Sequence, residues 1–270
     1  MDSSYLVIDG SRIAYDVAGS GPLVVCSPAM GDTREAYRPL AGQLVEAGFR
    51  VALVDLRGHG DSDAGFSAYG DEATAEDLLA VVDALGGGPA YLAGASMSAA
   101  AAVIAAGRRP EAVAGLVLLG PFVRNGAGAE VRLAMRLMLI RPWGPAVWRL
   151  YAASLWPGLG PAARERARET TRLLTREGRW AAFSATTRTD HAVVAPWISR
   201  VTAPSLVVMG EADPDWRDPR AEAEWVASQL GSELLMVPRA GHAPMLEAPD
   251  LVGPRVVAFL EEAMHAAGRS

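Results

Sequence analysis

The chain has 270 residues, half of them apolar and 21% charged, which suits one large domain or a core with an insertion and excludes a disordered chain. The formal net charge is −6, every basic residue is Arg, and no basic tail or stripe stands out, so a nucleic-acid partner is not expected. The longest apolar run, residues 97–107, is too short to cross a bilayer, and the first residues are polar, so the expectation is a cytoplasmic protein with no signal peptide and no membrane partner.

In chain order, residues 5–8 and 13–18 are extended stretches around Asp9-Gly10, a hairpin signal. Residues 23–26 read as a buried strand that carries the single cysteine, Cys26, as a buried thiol. A helix is expected over 34–47, a buried strand over 50–55 and a helix over 71–85. A strand at 90–93 runs through a turn at 94–98 into a helix that ends at Arg108, and a further strand covers 113–119. Short apolar strands that alternate with helices predict an α/β fold, a mostly parallel central sheet with helices on both faces.

That alternation stops between residues 122 and 200, where no strand pattern is seen. Val131, Ala134, Met135 and Met138 share one helix face, residues 162–176 read as a polar outer helix, and five of the seven tryptophans fall here: Trp143, Trp148, Trp156, Trp180 and Trp197. Strands at 205–209 and 234–237 then resume, with helices over 219–230 and 249–266. The reading is a core of residues 1–121 and 201–270 and an inserted helical cap of residues 122–200.

Gly94-Ala95-Ser96-Met97-Ser98 lies between a strand and a helix. A serine raised on a tight strand-to-helix turn needs small neighbours, and Gly94 and Ala95 supply them. The alternative, a serine that only caps a helix, does not call for a strand before it. On these residues and on the Arg57-Gly58-His59-Gly60-Asp61-Ser62 loop, the chain resembles the α/β-hydrolase superfamily over nearly its whole length, within the capped group of esterases, epoxide hydrolases and cofactor-free haloperoxidases. Epoxide hydrolases and haloalkane dehalogenases have Asp at the elbow, and Ser96 argues against both.

The resemblance implies Ser96 as nucleophile and a base after the last strand, where His242 stands in Ala240-Gly241-His242-Ala243. It implies an acid after the strand at 205–209, where Asp213 fits best, while Glu211, Asp215 and Asp218 read as solvated loop carboxylates. It also implies an oxyanion hole from the backbone N–H of Met97 and, since Pro28 has no N–H, of Ala29. His59 reads as structural and His265 as a surface residue. Met30, Met135, Met138, Trp143 and His191 are candidate substrate contacts, with core packing as the competing role.

No metal or other cofactor is expected, because no His/Cys/Asp cluster has ligand spacing. The expected activity is hydrolysis of a small apolar carboxylic ester or lactone through an acyl-enzyme. Perhydrolase, haloperoxidase, thioesterase or C–C hydrolase chemistry on the same triad is the alternative, and a ligand-binding protein on a hydrolase scaffold is the alternative from another class.

Overall fold

The structure, a computed structural model, describes residues 3–86, 88–126 and 128–268. Met1 and Asp2, at the polar start, lie outside these residues. Ser4–Ile8 (β1) and Ser11–Ala18 (β2) form the expected hairpin, with Ile8 opposite Ser11 and both turn residues, Asp9 and Gly10, at positive φ. Leu23–Ser27 (β3), Arg50–Val54 (β4), Ala90–Ala95 (β5), Val113–Leu119 (β6), Ser205–Gly210 (β7) and Glu233–Val237 (β8) follow. The eight strands run β1-β2-β4-β3-β5-β6-β7-β8, antiparallel only where β2 meets β1 and β4.

Both faces of the sheet are covered, so the inner strands are apolar at successive positions. On one face Val24, Cys26, Val51, Leu53, Ala93 and Val117 pack with Arg38–Glu46 (α1) and, late in the chain, Pro249–Ala267 (α11). On the other, Val25, Ala52, Leu92, Leu116 and Val207 pack with Asp71–Ala84 (α2), Met97–Arg108 (α3) and Pro219–Leu230 (α9). The cysteine is buried as expected, and burial pushes its thiol up. The first helix is shorter than its sequence pattern: residues Arg34–Tyr37 form a tighter turn, and α1 begins at Arg38 because Pro39 is tolerated only in a first helical turn.

Between β6 and β7 the described residues are helical: Ala129–Met138 (α4), Gly144–Leu155 (α5), Ala162–Leu174 (α6), Arg179–Thr186 (α7) and Ala195–Ile198 (α8). Trp148, Trp156, Trp180 and Phe183 anchor this segment in the cluster on the α1 side of the sheet. The face of α4 that carries Val131 and Met138 is exposed rather than packed. A short helix not expected from the sequence, Pro244–Glu247 (α10), precedes α11. No helix of the described residues is long and apolar enough to cross a membrane.

Candidate active site

The parallel strands end in step: Ser27 lies opposite Gly94, Ala95 opposite Leu119, and Gly210 opposite Val237. The loops that leave β3, β5, β6, β7 and β8 therefore gather at one edge, where open α/β sheets hold their ligands.

Ser96 stands at the end of β5 with φ 56° and ψ −119°, a strained backbone for a side chain with a Cβ. Its N–H donates to Leu119 O at 2.9 Å, and its carbonyl accepts from Ala99 N at 3.0 Å and Phe122 N at 3.3 Å. The turn is possible because Gly94 has no side chain, as a Cβ there would lie 2.2 Å from Ser98 O. Ser98, where the family pattern has glycine, ties the turn to the next loop: its hydroxyl donates to Pro28 O at 2.6 Å and lies 3.0 Å from Ser27 Oγ. The amides of Met97, at the start of α3, and of Ala29, in the loop after β3, make no hydrogen bond among the described residues; for Met97 this is usual for the first amide of a helix.

His59 braces that loop from below. Its Nε2 accepts from Gly31 N at 3.0 Å, and its Nδ1 donates to Arg57 O at 2.9 Å. Burial holds its pKa down at about 4, so the ring is neutral and structural, as the sequence suggested. Asp32, buried in the same loop, pairs with Arg166 of α6. Burial raises its pKa against the pull of Arg166.

His242 is held from both sides of the chain. Its backbone N–H donates to Leu155 O at 2.8 Å. Glu247 accepts from three amides, Gly158 N at 2.7 Å, Gly241 N at 2.9 Å and Ala243 N at 3.0 Å. Gly241 is needed because a Cβ there would lie 2.3 Å from Leu155 O. The ring Nδ1 donates to Asp213 Oδ2 at 2.8 Å, and both residues are buried. Asp213 Oδ1 accepts from Asp215 N at 3.0 Å, which curls the loop so that the second carboxylate also turns inward.

Asp215 is therefore a correction to its reading as a solvated loop carboxylate. Its Oδ2 lies 3.4 Å from His242 Nε2, its side chain is only 12% exposed, and it accepts a hydrogen bond from the Tyr151 hydroxyl of α5. Glu211 and Asp218 do match that reading: Glu211 pairs with Arg220, and Asp218 caps α9 through Ala221 N. Burial disfavours charge on the His242 ring, but Asp213 and Asp215 outweigh it and raise its pKa to about 9. The imidazolium stabilises the fold most below the ordinary histidine range, and that contribution is lost as pH rises through about 9. Burial also raises the pKa of Asp215, opposed by His242 and Tyr151. Donor atoms of Asp213, Asp215 and His242 lie within 4.8 Å of one another, and here they pair with each other.

The family is then decided by likeness: the alpha/beta hydrolase family matches residues 24–254. The chain belongs to that family. As an alpha/beta hydrolase it is 27% identical over 268 residues to 2-(acetamidomethylene)succinate hydrolase of Mesorhizobium japonicum, covering 94% of each chain. It is 28% identical over 281 residues to 2-hydroxy-6-oxo-6-phenylhexa-2,4-dienoate hydrolase of Burkholderia cepacia, covering 92% of this chain and 91% of that one. In fold it is similar to a thermophilic esterase from Thermogutta terrifontis, with TM-score 0.83, 24% identity, and coverage of 97% and 99% of the two chains.

Within this alpha/beta hydrolase, the residues expected at the site divide into two groups. Ser96, Met97, Asp213, His242 and Ala29 lie on the loops gathered at the strand ends, and Met30 is half-buried against the core beside Ala29. His191 joins them through an aromatic bridge, its ring 5.6 Å from Phe122, which lies 5.7 Å from His242 and 4.5 Å from Trp216. His191 Nδ1 is also 2.9 Å from the buried Asp71. Met138 and Trp143 are exposed, and among the described residues no hydrogen bond or ring contact links them or Met135 to the group. Phe122 stands by His242 instead, with Trp216 stacked on it, and their signal in the sequence was that each follows the end of a strand by a few residues.

Proposed function

We propose that this alpha/beta hydrolase cleaves a small apolar carboxylic ester or lactone through an acyl-enzyme on Ser96. The observation that carries the reading is the strained Ser96 turn at the strand ends that also present the His242–Asp213 pair. Neutral His242 takes the Ser96 hydroxyl proton on Nε2 while Oγ bonds to the carbonyl carbon. Asp213 holds Nδ1–H and balances the imidazolium. The free amides of Met97 and Ala29 take the charge that develops on the carbonyl oxygen. His242 then protonates the departing alkoxide, and a water activated by the same ring breaks the acyl-enzyme and restores Ser96. Residues 122–200 act as the cap, and Phe122, stacked on Trp216, presents an apolar ring beside the base.

The name of the Burkholderia cepacia relative supports a second reading on the same residues, hydrolysis of a dienoate of that kind. A panel of esters, lactones and such dienoates, with intact-mass detection of a serine-directed phosphonate, tests both. The expected result is highest kcat/KM on medium-length or aromatic neutral esters, one phosphonate added to the native protein, and neither turnover nor label in Ser96→Ala. Turnover or labelling retained in Ser96→Ala refutes the assignment.

A further inference from the structure

The imidazole of His242 sits between two carboxylates, and only one has a place in the mechanism above. Asp213 takes Nδ1 at 2.8 Å. The opposite nitrogen, which has to accept the Ser96 proton, lies 3.4 Å from Asp215 Oδ2, and no hydrogen bond joins it to Ser96 Oγ among the described residues. Asp215 does not wander into this place. Its own N–H is tied to Asp213 Oδ1 at 3.0 Å, and its Oδ1 accepts from Tyr151 of α5, which leaves Oδ2 turned toward the ring.

Other charges face His242 at longer range. Asp32 on the β3 loop is paired with Arg166 of α6, Glu247 of α10 is spent on three amides, and His191 with Asp71 stands across Phe122. Asp215 is the one of these carboxylates that approaches Nε2 itself.

We propose that Asp215, held by Tyr151, is a positioning residue that keeps His242 protonated in the resting site, so that the serine is fully activated only at alkaline pH. The proposal rests on the reading of His242 as the base for Ser96. A carboxylate at 3.4 Å favours the imidazolium, and it also favours the imidazolium that forms when Ser96 gives up its proton. The arrangement therefore trades base available at neutral pH for a stronger base once the resting proton has left. Asp215 takes no proton in this scheme. The proton from Ser96 goes to Nε2 and on to the leaving group, and the resting proton of Nε2 goes to solvent before attack. Because Tyr151 belongs to the cap, the position of the cap sets how closely Asp215 approaches the ring.

The test is the pH profile of kcat/KM together with an NMR titration of the His242 ring in the substrate-free enzyme, its resonance assigned with His242→Gln. In Asp215→Asn the acidic limb and the NMR midpoint both move to lower pH by about one to three units, and the alkaline plateau falls, so the two profiles cross. Tyr151→Phe releases Asp215 from its hold and moves the limb and the NMR midpoint in the same direction by less. An NMR midpoint in Asp215→Asn equal to that of the native protein overturns the proposal. So does a loss of turnover at every pH as deep as that of Asp213→Asn, which makes Asp215 the orienting acid, and so does a Tyr151→Phe limb that moves to higher pH, which makes the tyrosine a competitor of the ring for Asp215 and not its holder. The NMR arm needs no turnover, so it decides the proposal even where the ester panel fails.

Discussion

Helices α3 and α4 are both rich in apolar residues, and they end in opposite environments. Every residue of α3 from Met97 through Gly107 is buried, because the helix is enclosed by the sheet, α2 and α8 and its run of alanines allows a close approach. In α4, Val131, Leu133, Leu137 and Met138 are exposed, and Leu137 keeps 56% of its surface. An apolar face is buried only where a second layer exists to receive it. The sheet has such a layer on each face, whereas the apolar face of α4, between β6 and β7, is exposed. The site follows the same division: α5 and α6, which pack on the core, reach its polar groups through Tyr151, Leu155 and Arg166, whereas no hydrogen bond joins α4 to them among the described residues.

The largest expected effect tests the core side. Asp213→Asn lowers kcat by about 10⁴-fold, because the amide favours the wrong tautomer and leaves the imidazolium unbalanced. Steady-state kinetics on the best ester of the panel measure it, and a loss in KM alone speaks against the orienting role.

The next expectation concerns the crowding itself. Gly94→Ala drives a methyl into Ser98 O and destabilises the fold by about 3 kcal/mol, read as a drop in the urea midpoint with activity lost in parallel. A native midpoint in this variant means the elbow has more room than the 2.2 Å approach allows.

The smallest effect lies in the insertion. Leu137→Ser leaves the urea midpoint within about 0.5 kcal/mol of native, since more than half of the side chain already faces solvent. A cost several times larger shows that α4 is covered in solution and removes the contrast with α3.

The sheet was legible because its code is local. Short apolar runs, an Asp9-Gly10 turn and a glycine before Ser96 each state their own conformation. Ser96, Asp213 and His242 were legible through a resemblance that ties each to the end of a strand. Asp215 was not, because it lies two positions on from Asp213 and only the hydrogen bond from its N–H to Asp213 Oδ1 decides that both side chains face one ring. Tyr151 reaches it across 64 positions of sequence, from a helix whose pattern says only that it is amphipathic. Met138 and Trp143 misled for a related reason: composition reports apolar character, and the direction a helix presents depends on what lies across from it.

Glu247 bears on the modularity of the fold. Its carboxylate joins Gly158 of the insertion to Gly241 and Ala243 of the histidine loop, while Leu155 O receives the N–H of His242 itself. The insertion is thus not an exchangeable cassette between β6 and β7. A chimera that imports residues 122–200 from a homologue breaks the seat of His242 unless residues 155–158 and 241–247 are exchanged as a matched set, and recombination among such genes is under the same constraint.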